Sequence, residues 1–211
     1  MFRLWGRKSS SNVQKILWAL EEIGQSYEHE IVGGIYGGKD RPQYASKTPT
    51  KLVPVLEDDN LAIWESHSIL RYLARKFPKS EIGIDTNHRD AEVSCWMDFN
   101  SSSFQPALIG LFWELVRTPT ALRSKENEEM HYKNLKSASA IVSGQLQTKD
   151  FLLDSFSIAD IALGTLMYRM RDVAPDLAGK PSLTSWYERL LNRPGYNKFV
   201  TTSYEELRAK D

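Results

Sequence analysis

The chain has 211 residues, enough for one large domain or two small ones with a substantial core. Its formal net charge is zero, with 41% hydrophobic and 26% charged residues, so no global field draws it to nucleic acid or to an anionic membrane surface. A single cysteine, Cys95, excludes an intrachain disulfide, the histidines His29, His67, His88 and His131 lack metal-ligand spacing, and no apolar run approaches the roughly 20 residues of a membrane span.

Residues 2–5, FRLW, read as a short strand, and the opening stretch MFRLWGRKSS is too short and too charged for a secretory core. From Ser11 to Gly24, the apolar residues Val13, Ile16, Leu17, Leu20 and Ile23 keep the spacing of one helical face, with Gly24 as the stop. YEHEIV, 27–32, alternates as a half-buried second strand. GGIYGGKD, 33–40, holds four glycines and reads as loop, with a short helix expected near Arg41 to Ser46. LVPVLE has strand composition but carries Pro54, which cannot donate to a ladder, so the segment needs an edge, a bulge or a sharp turn; a cis bond at Val53–Pro54 makes such a turn. LAIW, 61–64, pairs with it as a hairpin across EDDN. A helix follows from Glu65 through Ile69, Leu70, Leu73 and Phe77, stopped by Pro78.

Beyond a polar stretch, PKSEIGID, the signals are all helical: about 87–116, 122–147, 157–172, 181–192 and a short helix after Pro194. The change of character predicts two units of different class. The first, 1–78, is an α+β domain in the order βαβ-ββα. A linker, 79–85, leads to an all-α unit, 86–211.

Three local constellations invite chemistry. RKSSSNVQK places three serines, Ser9, Ser10 and Ser11, where a strand turns into a helix. Amides and the helix dipole there favour an anion, and a serine can cap the helix or donate to a ligand's sulfur. WESHSI places Glu65 and Ser66 at a second strand-to-helix turn, suited to the ammonium and carboxylate of an amino acid or to ordinary capping. LVPV can offer the Val53 backbone to an extended peptide, or Pro54 can simply make a structural turn.

Taken in order, GRKSSSNVQKILWALEEIG, TPTKLVPVLED and WESHSILRYLA resemble the thioredoxin-like N-terminal half of the cytosolic glutathione transferases, serine-type, of the bacterial theta/phi-like group. SFSIADIAL, with Ser157 and Asp160 spaced as a capping box, and PSLTSWYERLLNRPGY resemble that family's helical half. The resemblance implies a cytoplasmic, homodimeric transferase of detoxification type. It would conjugate the glutathione thiolate to hydrophobic electrophiles, with glutathione as cosubstrate and no other cofactor or metal. It implies Ser10 as the catalytic hydroxyl, with Ser9 the alternative and Ser11 a helix cap; Asn12 matches the family's asparagine. Val53 and Pro54 fall on the backbone anchor for the cysteinyl part, Glu65 and Ser66 on the pair that holds the γ-glutamyl end, and Lys39, with Lys51 as rival, near the glycine carboxylate. Phe104, Leu108, Phe112 and Trp113 are the expected walls of the electrophile pocket, and Asp98 is expected to reach toward a partner's site. Thr48 and Leu52 depart from the family pattern, which leaves one side-chain contact to glutathione missing. Trp5 stands where a tyrosine-type enzyme has its tyrosine, and no cysteine lies near residue 10. The fold also hosts non-catalytic binders and glutathione-dependent peroxidases or dehalogenases, which remain the alternative readings.

Overall fold

The computed structural model describes residues 1–210; Asp211, the last residue of the expected helical unit, lies outside them. Strand β1 (Phe2–Trp5) buries Phe2 and Leu4 and exposes Arg3, the alternation of a strand with two unlike faces. Helix α1 (Ser11–Glu22) returns the chain so that β2 (Tyr27–Glu30) lies parallel to β1, with Leu4 opposite His29. After α2 (Pro42–Ala45), strands β3 (Val55–Asp58) and β4 (Leu61–Trp64) add an antiparallel hairpin, giving the order β2-β1-β3-β4. Helix α3 (Ser66–Lys76) closes the unit.

The expected elements of this half are present, with two shifts. β2 stops at Glu30 instead of continuing to residue 32, because the chain turns into the glycine loop. Strand β3 begins at Val55, one residue after Pro54, so the proline takes no ladder position that needs an N–H. The Val53–Pro54 bond is cis.

Period-two alternation sorts the sheet into two cores. Phe2, Leu4 and Leu56 face α1 and α3 and join the main core; Trp5 and Val55 face the other way and pack with Val32 and Tyr44 of α2. Helix α1 is covered on both sides, so Val13 through Leu20 are all buried, the polar Gln14 and Lys15 among them.

The second unit starts with α4 (Asn87–Phe99), capped by Thr86, whose hydroxyl accepts from the Arg89 amide at 3.2 Å. The expected helix over 87–116 is continuous but not uniform. A π-helical turn, Asn100–Phe104, precedes α5 (Gln105–Phe112), and a second, Trp113–Arg117, ends it. Pro106 explains the first: without an N–H it cannot join the i to i−4 ladder, and the carbonyls of the preceding turn re-register. The long helix α6 (Lys125–Gln145), α7 (Ile158–Val173), the short α8 (Pro175–Ala178), α9 (Pro181–Leu191) and α10 (Pro194–Phe199) complete the bundle. No helix among the described residues is long and apolar enough to cross a membrane.

The two halves meet along α1. Trp18 is fully buried, its ring 4.9 Å from Tyr196 and 5.6 Å from Phe156. Its indole N–H donates to Glu22 at 2.7 Å, and Arg193 bonds that carboxylate at 2.9 and 2.6 Å. Ser157 and Asp160 form the expected capping box on α7. The fully buried Asp160 carboxylate accepts from the Leu152 amide at 2.9 Å, the Ser157 amide at 3.0 Å and the Trp186 indole at 3.1 Å. Truncating it leaves these buried donors without an acceptor, each a desolvation penalty. Asp160→Ala is therefore expected to cost about 3 kcal/mol, read as a lowered urea midpoint with unchanged slope; a shift below about 0.5 kcal/mol would mean that water replaces the carboxylate.

Candidate functional site

The site forms where β1 ends. Gly6 has φ +149°, and a Cβ there would sit 2.4 Å from Val13 Cγ2 and 3.3 Å from Val53 Cβ. Only glycine lets the strand pass that close to both α1 and the Val53 turn. The chain then reverses, and Ser10 takes the N-cap position of α1 in extended conformation, its carbonyl accepting from Gln14 N at 2.9 Å. Ser11, expected as a cap, is the first residue of the helix instead.

The three serines differ in their commitments. Ser9 is 5% exposed; its hydroxyl donates to the Glu206 carboxylate and its carbonyl accepts from Arg169 Nη2 at 2.7 Å. Ser10 makes no capping bond, and its hydroxyl and that of Ser11 have no partner among the described residues.

Around this turn the fold gathers most of the other candidates. Asn12 Oδ1 accepts from the Ser66 hydroxyl at 3.3 Å, which brings the starts of α1 and α3 together. Ser66 is the first residue of α3, one past the N-cap position. Glu65 occupies that position with φ +67°, a left-handed conformation unusual for a glutamate, and its side chain is exposed. A Cβ on Gly33 would lie 3.4 Å from Val53 Cγ1 and 3.9 Å from the Lys39 stem, so Lys39 and Val53 flank one edge of the glycine loop. Among the described residues nothing bonds the Val53 amide. Leu52 is 59% exposed and gives its carbonyl to the Tyr44 hydroxyl at 2.6 Å. Lys51, the rival of Lys39, is ion-paired to Asp40 at 2.7 Å. This edge brings together two helix N-termini, the Val53 amide, unpaired among the described residues, and a carboxylate. It can hold an anion at the helix ends and an extended peptide along Val53.

The expected walls of the electrophile pocket divide between the core and the surface. Phe104 and Leu108 are fully buried in the main core. Phe112 packs edge-on against Tyr204 at 5.2 Å, and Trp113, half exposed, lies under the Arg117 guanidinium at 3.9 Å. Asp98 is engaged within its own chain by Arg71. An open cleft of about 570 Å3 does adjoin Ser9, walled by Tyr36, Phe199 and Glu206.

Sequence reasoning missed the groups beneath the site. Lys15 is fully buried, donating to Gln105 Oε1 at 2.6 Å and Asn12 Oδ1 at 3.1 Å, and lying 3.1 Å from His67 Nε2. His67 Nδ1 is 2.8 Å from the Ser101 hydroxyl, and Asn100 Nδ2 lies 3.2 Å from Nε2. Burial, with the nearby charges of Lys15 and Arg71, pulls His67 down to about 2, so its ring is neutral. Burial lowers Lys15 to about 7; Arg169 adds to the shift and Glu65 opposes it. No local pattern signals this cluster, because a lysine inside an amphipathic helix reads as its solvent face. Its acceptor Asn12 is also the acceptor of Ser66, so the buried ammonium helps to hold the two helix starts in place.

Two family models match the chain: the glutathione S-transferase N-terminal domain over residues 4–81 and the C-terminal domain over 104–194. The glutathione S-transferase GstB of Escherichia coli is 34% identical, covering 95% of this chain and 98% of its own. The glutathione S-transferase 4 of Zea mays is 28% identical over 93% and 90%. Among solved structures, the theta class glutathione S-transferase of Xanthomonas axonopodis pv. citri, crystallised with glutathione bound, superposes with a TM-score of 0.87 at 35% identity, covering 96% of this chain and 98% of that one.

The Lys15 shift has a readable sign. The folded pKa lies below the free value of 10.5, so the unfolded chain holds the extra proton from about pH 7 upward, and stability rises with pH across that window. The stability of wild type relative to Lys15→Met is expected to increase by about 1 kcal/mol per pH unit between about pH 7 and pH 9, or ~2–4 °C in Tm per unit. A difference that stays flat with pH would show that the ammonium is not desolvated.

Proposed function

The chain belongs to the glutathione S-transferase family, and on that premise we propose that it conjugates the glutathione thiolate to electrophiles. Residues 1–78 act as the glutathione-binding unit, 79–85 as linker, and 86–211 complete the electrophile site. Ser10 donates its hydroxyl to the sulfur. The observation that carries this choice is the sorting of the serines: Ser9 has given its hydroxyl to Glu206, whereas the hydroxyl of Ser10, at the N-cap, has no partner among the described residues.

A free thiol ionises near pKa 8.5, so only a small fraction is thiolate at neutral pH. A hydrogen bond from Ser10 and the positive end of α1 both favour the anion. A lowering of about two units corresponds to ~2.7 kcal/mol, within the reach of one charge-assisted hydrogen bond plus a helix terminus. The Val53 amide and carbonyl pair with the cysteinyl backbone. Glu65 takes the ammonium of the γ-glutamyl group, while Ser66 and the start of α3 take its carboxylate. Lys39 faces the glycine carboxylate; Lys51 is already neutralised by Asp40, which supports Lys39 over its rival. With the thiol proton released to solvent, the sulfur attacks an electrophilic carbon. The C–S bond forms as the leaving group departs with its electron pair.

Ser10→Ala is expected to return the ultraviolet-monitored thiol pKa of bound glutathione toward 8.5 and to lower kcat about a hundredfold, with a much smaller change in glutathione affinity. Ser9→Ala is expected to leave the thiol pKa in place. If Ser9→Ala raises that pKa and Ser10→Ala does not, the thiolate belongs to Ser9.

A further inference from the structure

Lys15 lies beneath the starts of α1 and α3, fully buried, and among the described residues no carboxylate bonds its ammonium. An ammonium has three N–H donors. The fold supplies three acceptors, one from each of three helices: Asn12 Oδ1 of α1 at 3.1 Å, His67 Nε2 of α3 at 3.1 Å and Gln105 Oε1 of α5 at 2.6 Å. The histidine is oriented for this contact. Ser101 gives its hydroxyl proton to the Met97 carbonyl at 3.1 Å, which leaves its oxygen to accept from His67 Nδ1 at 2.8 Å. Nε2 is then the accepting nitrogen, facing both Lys15 and the Asn100 amide.

The helical half shapes its share of this cage. Asn100, Ser101 and Gln105 belong to the first π-helical turn and its end, where the Gln105 amide bonds the Asn100 carbonyl five residues back. The wider turn brings residues 100 and 105 closer to one face than an α-helical turn does. Packing by itself does not call for a charge at this place. A methionine fills a similar volume, and replacing buried charges by apolar side chains is often neutral or stabilising. What the ammonium adds is direction. It fixes the Asn12 carboxamide with Oδ1 toward Ser66, whose hydroxyl donates to that same oxygen at 3.3 Å. Ser66 opens α3, where the first amides of the helix have no partner within the helix.

We propose that Lys15 is a positioning residue for glutathione: through Asn12 it holds Ser66 and the start of α3 in the arrangement that receives the γ-glutamyl carboxylate, and through Gln105 it ties that arrangement to the helical half. Lys15 itself touches no substrate. The proposal rests on the glutathione-binding reading above, and it adds to that reading a residue that acts from beneath the site.

The test measures the glutathione Kd by titration calorimetry and, separately, kcat with chlorodinitrobenzene at saturating glutathione, both at about pH 6.5, where Lys15 keeps its proton. Lys15→Met is expected to weaken glutathione binding about tenfold, to change kcat less than about twofold, and to leave Tm no lower than that of wild type. Ser66→Ala is expected to weaken binding by a similar factor. Because both act through one oxygen of Asn12, the double variant is expected to bind no more than about twofold more weakly than Ser66→Ala alone. An unchanged Kd in Lys15→Met, or losses that multiply in the double variant, overturns the positioning role. Should Lys15→Met fail to fold, Gln105→Leu, which takes one acceptor from the ammonium, is judged by the same two criteria. A wild-type Kd in Ser66→Ala overturns the γ-glutamyl placement and the role of Lys15 with it. Glutathione binding without turnover overturns conjugation alone and leaves the positioning role to the Kd values.

Discussion

The burial of helix α1 is the constraint on which the rest of the molecule depends. Eight consecutive residues, Val13 to Leu20, are removed from solvent because the sheet and α3 lie on one side and α7 and α10 on the other. The helix start is thereby held rigidly at the end of β1, where its free amides point at the candidate site. Its middle carries Trp18 into the helical half, and its end carries Glu22 to Arg193. One element thus orients the chemistry and joins the two halves, so the geometry of the site and the packing of the halves are coupled through the same backbone.

That coupling makes the polar groups on α1 informative. Among the described residues Lys15 has no carboxylate in hydrogen-bonding contact, and its three polar neighbours come from α1 itself, α3 and α5. The network satisfies the ammonium's donors while leaving its charge largely uncompensated, the condition under which a lysine loses its proton most readily. Arg169 reaches the same turn from α7 and fastens the Ser9 carbonyl. Positive charge is therefore concentrated beneath and beside a helix N-terminus that is itself positive, a field that favours any anion placed there.

Three serines in a row look redundant, and their surroundings distinguish them. Ser9 is engaged by Glu206; Ser10 stands at the cap with its hydroxyl free among the described residues; Ser11 has already entered the helix. The pairing of Ser9 with Glu206 also lays the C-terminal segment across one side of the site, with Tyr36 of the glycine loop on the same carboxylate. Tyr204, from that segment, packs against Phe112 and bonds Asp172 of α7 at 2.7 Å. Tyr204 and Glu206 are thus part of the wall around the turn.

Much of this was legible in the amino-acid sequence, and the division has a physical cause. The strands FRLW and LAIW, the helix stop at Gly24, the turn at Pro54 and the Ser157–Asp160 capping box depend on neighbours a few residues apart, and periodicity and capping chemistry report such neighbours directly. Candidates at the three turns, among them Ser10, Val53 and Ser66, could be named because a strand-to-helix junction is itself a local feature. Tertiary structure alone decided which serine keeps a free hydroxyl, since Glu206 lies 197 residues from Ser9. It alone buried Lys15 on what reads as a polar face, and it alone brought Arg169 of α7 to the Ser9 carbonyl. It also sent Phe104 and Leu108 inward to the core. An apolar stripe or a lone charge says that a residue will be buried or solvated, but not against what; that is settled when distant elements pack and burial sets the energy of each charge and hydrogen bond.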